Sequence, residues 1–437
     1  MDYDYICELI KGKFISRIAS EKFMGKFKVN SKEITDGDAF IAINTGYKYI
    51  EEAIKKGAEL IITDKNVTRD GVNIIKVDNI IDSLGLIASD LRDKYIDKHV
   101  VAVTGSVGKT TTKELISMVL GNKYKVLKTE GNMNNEIGVP TTLFKLDDSY
   151  NLCVLELGMN HLGEISYLSK IIKPNDSVIT NIGTSHIGYL KSKKNIFKAK
   201  KEILDGMTDG TLFINGDDKY LRKIKYKNKY KVGLGKNNDL VATNIVTTKN
   251  KLYFNINYNN RIYNVIFNIP SSYLVSNILI SIAIGLKYDI EIDKILESIE
   301  NYKPREHRNN VLKLKNNIIL VDDCYNCSYE SFKAGIEQLK HYACDKLIIF
   351  GDILELGIYS KKIHHKIGKL LEKNKYHSLL VGDDTKYSMN SYSLKFNSNK
   401  EVINYLDKNN LSDIVIYIKG SRGMNLEEIK NYLTKKY

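Results

Sequence analysis

Val101-Ala-Val-Thr-Gly-Ser-Val-Gly-Lys-Thr-Thr111 decides the fold. A β-branched apolar run enters a glycine turn, and the spacing after it predicts a helix from Lys109 to Leu120. Gly105 and Gly108 leave no Cβ between converging backbone N–H groups and a phosphate. The helix N-terminus adds its positive dipole end. Lys109 brings a full charge to the β- and γ-phosphates, and the Thr110 hydroxyl can hold Mg²⁺. The loop Thr104, Gly105, Ser106, Val107, Gly108, Lys109, Thr110 and Thr111 is therefore the expected ATP site, with ATP and Mg²⁺ as cofactors. The commonest form of such a loop has a further glycine five residues before Gly108, where this chain has Val103.

Outward from the loop, strands are expected at Leu152–Leu157, Ser177–Asn181 and Thr211–Ile214 with helices between them, the alternation of a parallel sheet. Leu240 to Ile269 alternates with period two and predicts antiparallel hairpins. Helices at about Tyr273–Leu286 and Asp293–Asn301 close this section. Pro304, in the polar stretch NYKPREHRNN, marks a hinge. Beyond it, strands at Ile318–Val321, Lys346–Phe350, Ser378–Val381 and Asp413–Ile418 alternate with helices at Tyr329–Leu339, Ser360–Leu371 and Asn425–Leu433. Before the loop, short apolar runs and helices at Tyr49–Lys56 and Ile80–Arg92 predict a smaller α/β unit. The expected domains are 1–97, 98–303 and 304–437. Two open sheets facing each other across a hinge would make a closing cleft, with ligands at the carboxyl ends of the strands.

A length of 437 residues fits two to four domains, and 27% charged residues with 43% hydrophobic ones fit a folded chain rather than a disordered or fibrous one. No apolar run reaches the length of a membrane span; the stretch Tyr273–Leu286 is short and carries Ser276, Asn277 and Ser281. MDYDYICELIKGK has no secretory pattern, so a cytoplasmic location is expected. The net charge of +14 accompanies abundant Lys, Asn, Ile and Tyr and no Trp, a pattern of drift in base composition. The alternative, attraction of polyanions, is weakened for nucleic acid because the lysines are scattered. Five dispersed cysteines indicate reduced thiols. Cys324 and Cys327 form a CxxC, but without a second pair or a nearby His no zinc site is expected, and its position after Val-Asp-Asp does not suit a redox pair.

A Mg²⁺–ATP site needs further oxygen ligands. Glu156 ends an apolar strand, and His186 follows another in Thr180-Asn-Ile-Gly-Thr-Ser-His186. ELGMNHLGEI, TNIGTSH, KAKKEI and Gly131-Asn-Met-Asn-Asn-Glu-Ile-Gly-Val-Pro140, together with the TGSVGKTT form of the loop, resemble the Mur ligase family, ATP-dependent amide ligases of peptidoglycan precursor synthesis. Within it they resemble most the branch that adds D-alanyl-D-alanine to UDP-N-acetylmuramoyl-tripeptide. The resemblance implies a three-domain α/β architecture, with a central P-loop ATPase domain and a Rossmann-like C-terminal domain.

It further implies that Thr110, Glu156 and His186 serve the metal ions, and that Lys200, fourteen residues after His186, is carbamylated and bridges to the second ion. By the same resemblance Asn134 and Asn135 lie near the γ-phosphate and acyl substrate, and Asn277 approaches adenine. Asn215 matches the NxDD turn, and Arg308 and Asp323 reach ATP on closure. Tyr273 and Leu274 stand where the family has His and Asn. Phe350-Gly-Asp-Ile-Leu-Glu-Leu-Gly357 and Lys419-Gly-Ser-Arg-Gly-Met424 resemble the segments that position the incoming amine, which places Asp352, Lys419, Ser421 and Arg422 on the substrate side. SKEITDGDAFIAI, beginning at Ser31, resembles the uridine-diphosphate-binding opening, with Lys32 in place of Arg and a shortened loop at Asn44-Thr-Gly-Tyr-Lys-Tyr49.

The expected catalytic set is Lys109, His186, Lys200 and Arg308, acting on small-molecule substrates in a monomer, with no nucleic-acid partner. Two alternatives stand beside it: a Mur-type ligase that couples an amino acid to a different carboxylate, and a P-loop kinase or nucleic-acid-stimulated ATPase.

Overall fold

The computed structural model describes residues 1–18 and 22–437. Three sheets follow one another along the chain. The first has five strands in the spatial order Lys13–Ser16, Asn73–Lys76, Leu60–Thr63, Ala39–Ile41, Phe27–Lys28, parallel except for the antiparallel first strand. The second has nine strands. Its parallel part runs from Val126–Lys128 through Leu152–Glu156, His99–Thr104, Asp176–Ile179, Leu212–Asn215 and Lys229–Gly233 to Leu240–Thr247. Leu252–Tyr258 and Arg261–Phe267 then add an antiparallel margin, as the alternation between Leu240 and Ile269 predicted. The third sheet has six strands in the order Asn310–Lys313, Ile319–Asp322, Ile414–Lys419, Asp345–Gly351, His377–Val381, Ser393–Phe396, with only the first antiparallel.

The helix Lys109–Leu120 has the predicted bounds, as does Tyr329–Leu339. Ser328 caps the latter with a reciprocal Ser331 contact. Other expected elements shift by one to three residues at their ends; helix 273–286, for instance, is Val275–Lys287 after a short turn at Ser272–Leu274.

The strand His99–Thr104 is the pivot of the second sheet, with Leu152–Glu156 on one side and Asp176–Ile179 on the other. Connections leave it in both directions, which opens a crevice at the carboxyl edge, where the phosphate loop lies. Its inward residues Val101 and Val103 are fully buried with Leu115, Ile116 and Ile278 from the covering helices.

The helix Ile80–Lys94 ties the first sheet to the second. Arg92 is fully buried, and its guanidinium donates to the carbonyls of Tyr95, Ile172 and Lys173 and to Asn175 Oδ1, at 2.6–3.3 Å. No helix among the described residues is long and apolar enough to cross a membrane. All five cysteines are free.

Candidate active site

A cleft of about 550 Å³ opens between the second and third sheets. The phosphate loop forms its floor. Gly108 has φ +85°, and a Cβ there would run into the Asn277 amide, so the turn needs glycine. Thr104 is buried and its hydroxyl donates to Leu157 O at 2.8 Å. Asn181 Oδ1 accepts from Val107 N–H at 3.0 Å, and Asn181 O from Ser106 N–H at 3.1 Å. That leaves the first-turn amides of the helix, from Lys109 to Thr111, as donors toward the cleft. The Ser106 hydroxyl is buried without a hydrogen-bond partner, the state expected of a group built for an absent ligand. Lys109 Nζ curls back onto Gly105 O at 3.0 Å. Burial pulls its ammonium below the usual lysine range, Glu156 opposes this, and Arg308 adds to it.

Glu156 is 2% exposed and sits beside Val103 in register. Its Oε2 accepts from the Thr110 hydroxyl and its Oε1 from Asn134 Nδ2, both at 2.9 Å. A carboxylate and a hydroxyl meeting at a helix N-terminus form a hard oxygen set that suits Mg²⁺. His186 holds φ +61°, and its Nδ1 lies 2.8 Å from Glu355 Oε2 across the cleft. Burial lowers the acidity range of the imidazolium further than Glu355 restores it, so the ring is neutral near pH 7 and able to bind a metal. Lys200 is 1% exposed. Burial first, and then the charge of Lys109, push its amine well below the ordinary range, with Glu156 opposing. A buried lysine of this kind is a poor cation and a good neutral amine.

From the third sheet, Arg308 faces the cleft with its guanidinium over the Tyr325 ring, 4.1 Å from the centroid. Asp323 also lines the cleft, yet its carboxylate is taken up by Lys419 and by the Tyr417 hydroxyl at 3.0 Å. Lys419, 2% exposed, is held in turn by the Asn326 carbonyl at 3.1 Å. Ser421 and Arg422 line a smaller cavity of about 140 Å³ that also meets Ser106, Lys109, His186 and Glu355. Arg422 pairs with Glu427 at 3.0 Å, and the Ser421 hydroxyl accepts from Leu354 N–H at 2.8 Å.

Some expected residues also hold structural contacts. Asp352 does not line either cavity: its oxygens accept from the Thr385 and Asp384 amides at 2.7 and 3.2 Å, so it fastens a turn of the third unit. Asn277 donates to Gly108 O at 3.2 Å and is 1% exposed, so it braces the loop from behind. Asn135 Oδ1 accepts from Gly138 N–H at 2.9 Å, starting a short helix while its residue lines the cleft. Asn215 stabilises its own turn by accepting from Asp217 N–H at 3.0 Å. Ser31 lies in the first unit, its hydroxyl 3.1 Å from Glu52.

Other residues complete the cleft. Ile269, Ser271, Tyr273, Leu274, Tyr302 and Pro304 also line the cleft, a partly aromatic group suited to a planar base. Glu330 reaches from the third unit to Thr184, accepting from its N–H at 3.0 Å and its hydroxyl at 2.6 Å, and pairs with Lys193 at 3.0 Å. Glu355 Oε2 approaches His186 Nδ1 at 2.8 Å, and Glu355 O accepts from Gly188 N–H at 2.9 Å. Both bridge the two units across the cleft.

Residues 103–285 match the family model of the Mur ligase middle domain, and residues 307–424 that of the Mur ligase glutamate ligase domain. The chain belongs to the Mur ligase family. This Mur ligase is 31% identical, over 97% of its length and 96% of the relative's, to the UDP-N-acetylmuramoyl-tripeptide–D-alanyl-D-alanine ligase of Bacillus subtilis. Among solved structures it superposes on MurF from Acinetobacter baumannii with a TM-score of 0.91 at 25% identity, covering 99% and 98% of the two chains. The MurF ligase from Thermotoga maritima, solved in complex with ADP, gives 0.86 at 27% identity, covering 95% and 98%. The three-domain α/β architecture expected from the sequence is thus that of the family.

Proposed function

We propose that this Mur ligase joins D-alanyl-D-alanine to UDP-N-acetylmuramoyl-tripeptide, with ATP activating the tripeptide carboxylate as an acyl phosphate. One observation carries the reading. The loop of Lys109 and Thr110, the Glu156 carboxylate and the opposing Arg308 meet around one cleft, with Lys200 buried near enough to feel the charges of Lys109 and Glu156, in a chain aligned along almost its whole length with a ligase of that name.

The first-turn amides and Lys109 grip the β- and γ-phosphates, and the slot at Tyr273 and Tyr302 takes the adenine. Thr110, Glu156 and neutral His186 are the residues that would hold Mg²⁺, which when bound neutralises charge on the transferring phosphoryl group. Arg308 faces the same phosphoryl group from the third domain. The tripeptide carboxylate attacks the γ-phosphorus and ADP leaves; the dipeptide amine then attacks the acyl carbon and inorganic phosphate leaves. The cavity of Ser421 and Arg422 is our assignment for the incoming dipeptide. Glu330 and Glu355 hold the lobes together, excluding water that would hydrolyse the acyl phosphate. The neutral Lys200 amine is the form that reacts with CO₂, and the carbamate it gives would supply the anionic oxygen that the metal site otherwise lacks there.

We assign residues 1–97 to the nucleotide sugar, with Ser31 among its contacts, 98–303 to ATP, and 304–437 to the amine. The chain works as a monomer in the cytoplasm, on small molecules. A second reading, coupling of an amino acid to a different acid, draws on the short turn Gly46–Tyr49, which runs straight into helix Ile50–Lys55 where the family has a longer loop. Crossing UDP-muramoyl peptides with D-Ala-D-Ala and single amino acids, with ADP release and product masses recorded, separates the two. Turnover only with a single amino acid or another acid would replace the first reading by the second.

A further inference from the structure

Behind Arg308, three side chains outside the nucleotide machinery converge. His307 Nδ1 lies 2.8 Å from Asp322 Oδ2, and Cys324 Sγ lies 3.0 Å from Asp322 Oδ1. Sulfur and ring nitrogen are 3.6 Å apart. Asp322 and Cys324 are 2% and 1% exposed. The sequence showed no histidine near the Cys324–Cys327 pair. The antiparallel pairing of Asn310 with Asp322 supplies one by folding His307 back over the strand end.

We propose that His307, Asp322 and Cys324 form a binding site for one Zn²⁺ ion. Zinc takes sulfur at about 2.3 Å and nitrogen or oxygen at about 2.0–2.1 Å in a tetrahedron, whose edges then measure about 3.3–3.6 Å. The sulfur–nitrogen separation already has that length, and the Asp322 carboxylate touches both groups, through Oδ2 at 2.8 Å and Oδ1 at 3.0 Å, so a small rotation sets one of its oxygens as the third ligand. One thiolate, one imidazole and one carboxylate suit zinc, whereas magnesium and calcium favour oxygen-rich sets and do not take a thiolate. In the metal-free chain, burial and the adjoining Asp322 keep the Cys324 thiol protonated. Binding forms the S–Zn bond and releases that proton to solvent. A water would complete the tetrahedron.

The site has a purpose in the fold. His307 and Asn309 hold φ of +60° and +56° on either side of Arg308, and Tyr325 N–H donates to His307 O at 3.1 Å. An ion here would tie the turn that presents Arg308 to the strand end that carries Asp323, and so fix the arginine before the cleft closes.

The full chain, stripped with a chelator and titrated with Co²⁺, tests the proposal without reading activity. One equivalent should produce a thiolate-to-cobalt charge-transfer band, which one equivalent of Zn²⁺ should abolish by displacement. Cys324→Ser should lose the band, while Cys327→Ser and Glu156→Gln keep it, since the Mg²⁺ site has no thiol. His307→Gln leaves the thiol in place and should weaken Zn²⁺ by at least about tenfold. Absence of a thiolate band from the wild-type chain overturns the proposal, as does a band that survives Cys324→Ser or a Zn²⁺ affinity unchanged in His307→Gln.

Discussion

Glu330→Ala should unlatch the cleft. Glu330 Oε2 accepts two hydrogen bonds from Thr184, at 3.0 and 2.6 Å, and Oε1 pairs with Lys193 at 3.0 Å. Hydrogen bonds to a buried charge contribute about 1.5–3 kcal/mol each, so the pair gives about 3 kcal/mol at the low end. Lys193 is 35% exposed, which reduces its ion pair to about 0.5 kcal/mol. The sum, about 3.5 kcal/mol, shifts the closure equilibrium by about 300-fold at 1.4 kcal/mol per decade. Because the acyl phosphate is protected only in the closed form, kcat/KM for ligation should fall by up to that factor, while phosphate release without ligation rises. Glu330→Gln keeps one neutral acceptor and should fall between. The assay couples ADP release to product mass, with solution scattering to follow the radius of gyration. A Glu330→Ala enzyme that is folded, as compact as wild type and within twofold of its kcat/KM would refute the reasoning.

Further outcomes follow from the same geometry. Gly108→Ala should lower ADP affinity at least about tenfold with the fold intact, because left-handed backbone costs a non-glycine residue roughly 1–2 kcal/mol and the new Cβ meets Asn277; calorimetric titration checks it. Lys200→Met should raise the melting temperature in CO₂-free buffer, and by more at pH 6 than at pH 9. The folded pKa is lowered, so holding the amine neutral costs about 1.4 kcal/mol more for each unit below about 10.4, until the folded pKa is passed. An advantage independent of pH would contradict a buried neutral amine. Arg92→Met should destabilise by about 3 kcal/mol in urea unfolding, since the carbonyls of Ile172, Tyr95 and Lys173 lose a buried donor.

The sequence was legible where the signal is local. The β-branched run ending at Thr104, the glycines after it and the helical spacing beyond Lys109 all lie within about two turns, and the helix has the expected bounds. Strand Asn310–Lys313 was hidden in what reads as a polar hinge, because its partner Ile319–Asp322 lies across a reverse turn and Asn309, Asn316 and Asn317 supply left-handed backbone without a glycine to mark it. Strand Ser393–Phe396 and helix Asn399–Lys408 lie in polar sequence whose burial rests on few residues, Val402 and Leu406 among them. At the site, motif residues were readable but the aim of their side chains was not. Asp352 and Asn277 sit in the right segments and face structural partners. Glu330 and Glu355 act only because two separately folded sheets meet, and no pattern within one segment carries that information.

The central claim is that a carboxylate is phosphorylated in this cleft before an amine displaces the phosphate. UDP-N-acetylmuramoyl-tripeptide carrying ¹⁸O at both oxygens of its terminal carboxylate, turned over with ATP, Mg²⁺ and D-Ala-D-Ala, tests it directly. The account predicts one ¹⁸O in each molecule of inorganic phosphate released, ADP without label, and loss of the whole signal in Lys109→Ala. Unlabelled phosphate alongside ligated product, or full turnover by Lys109→Ala, would contradict it.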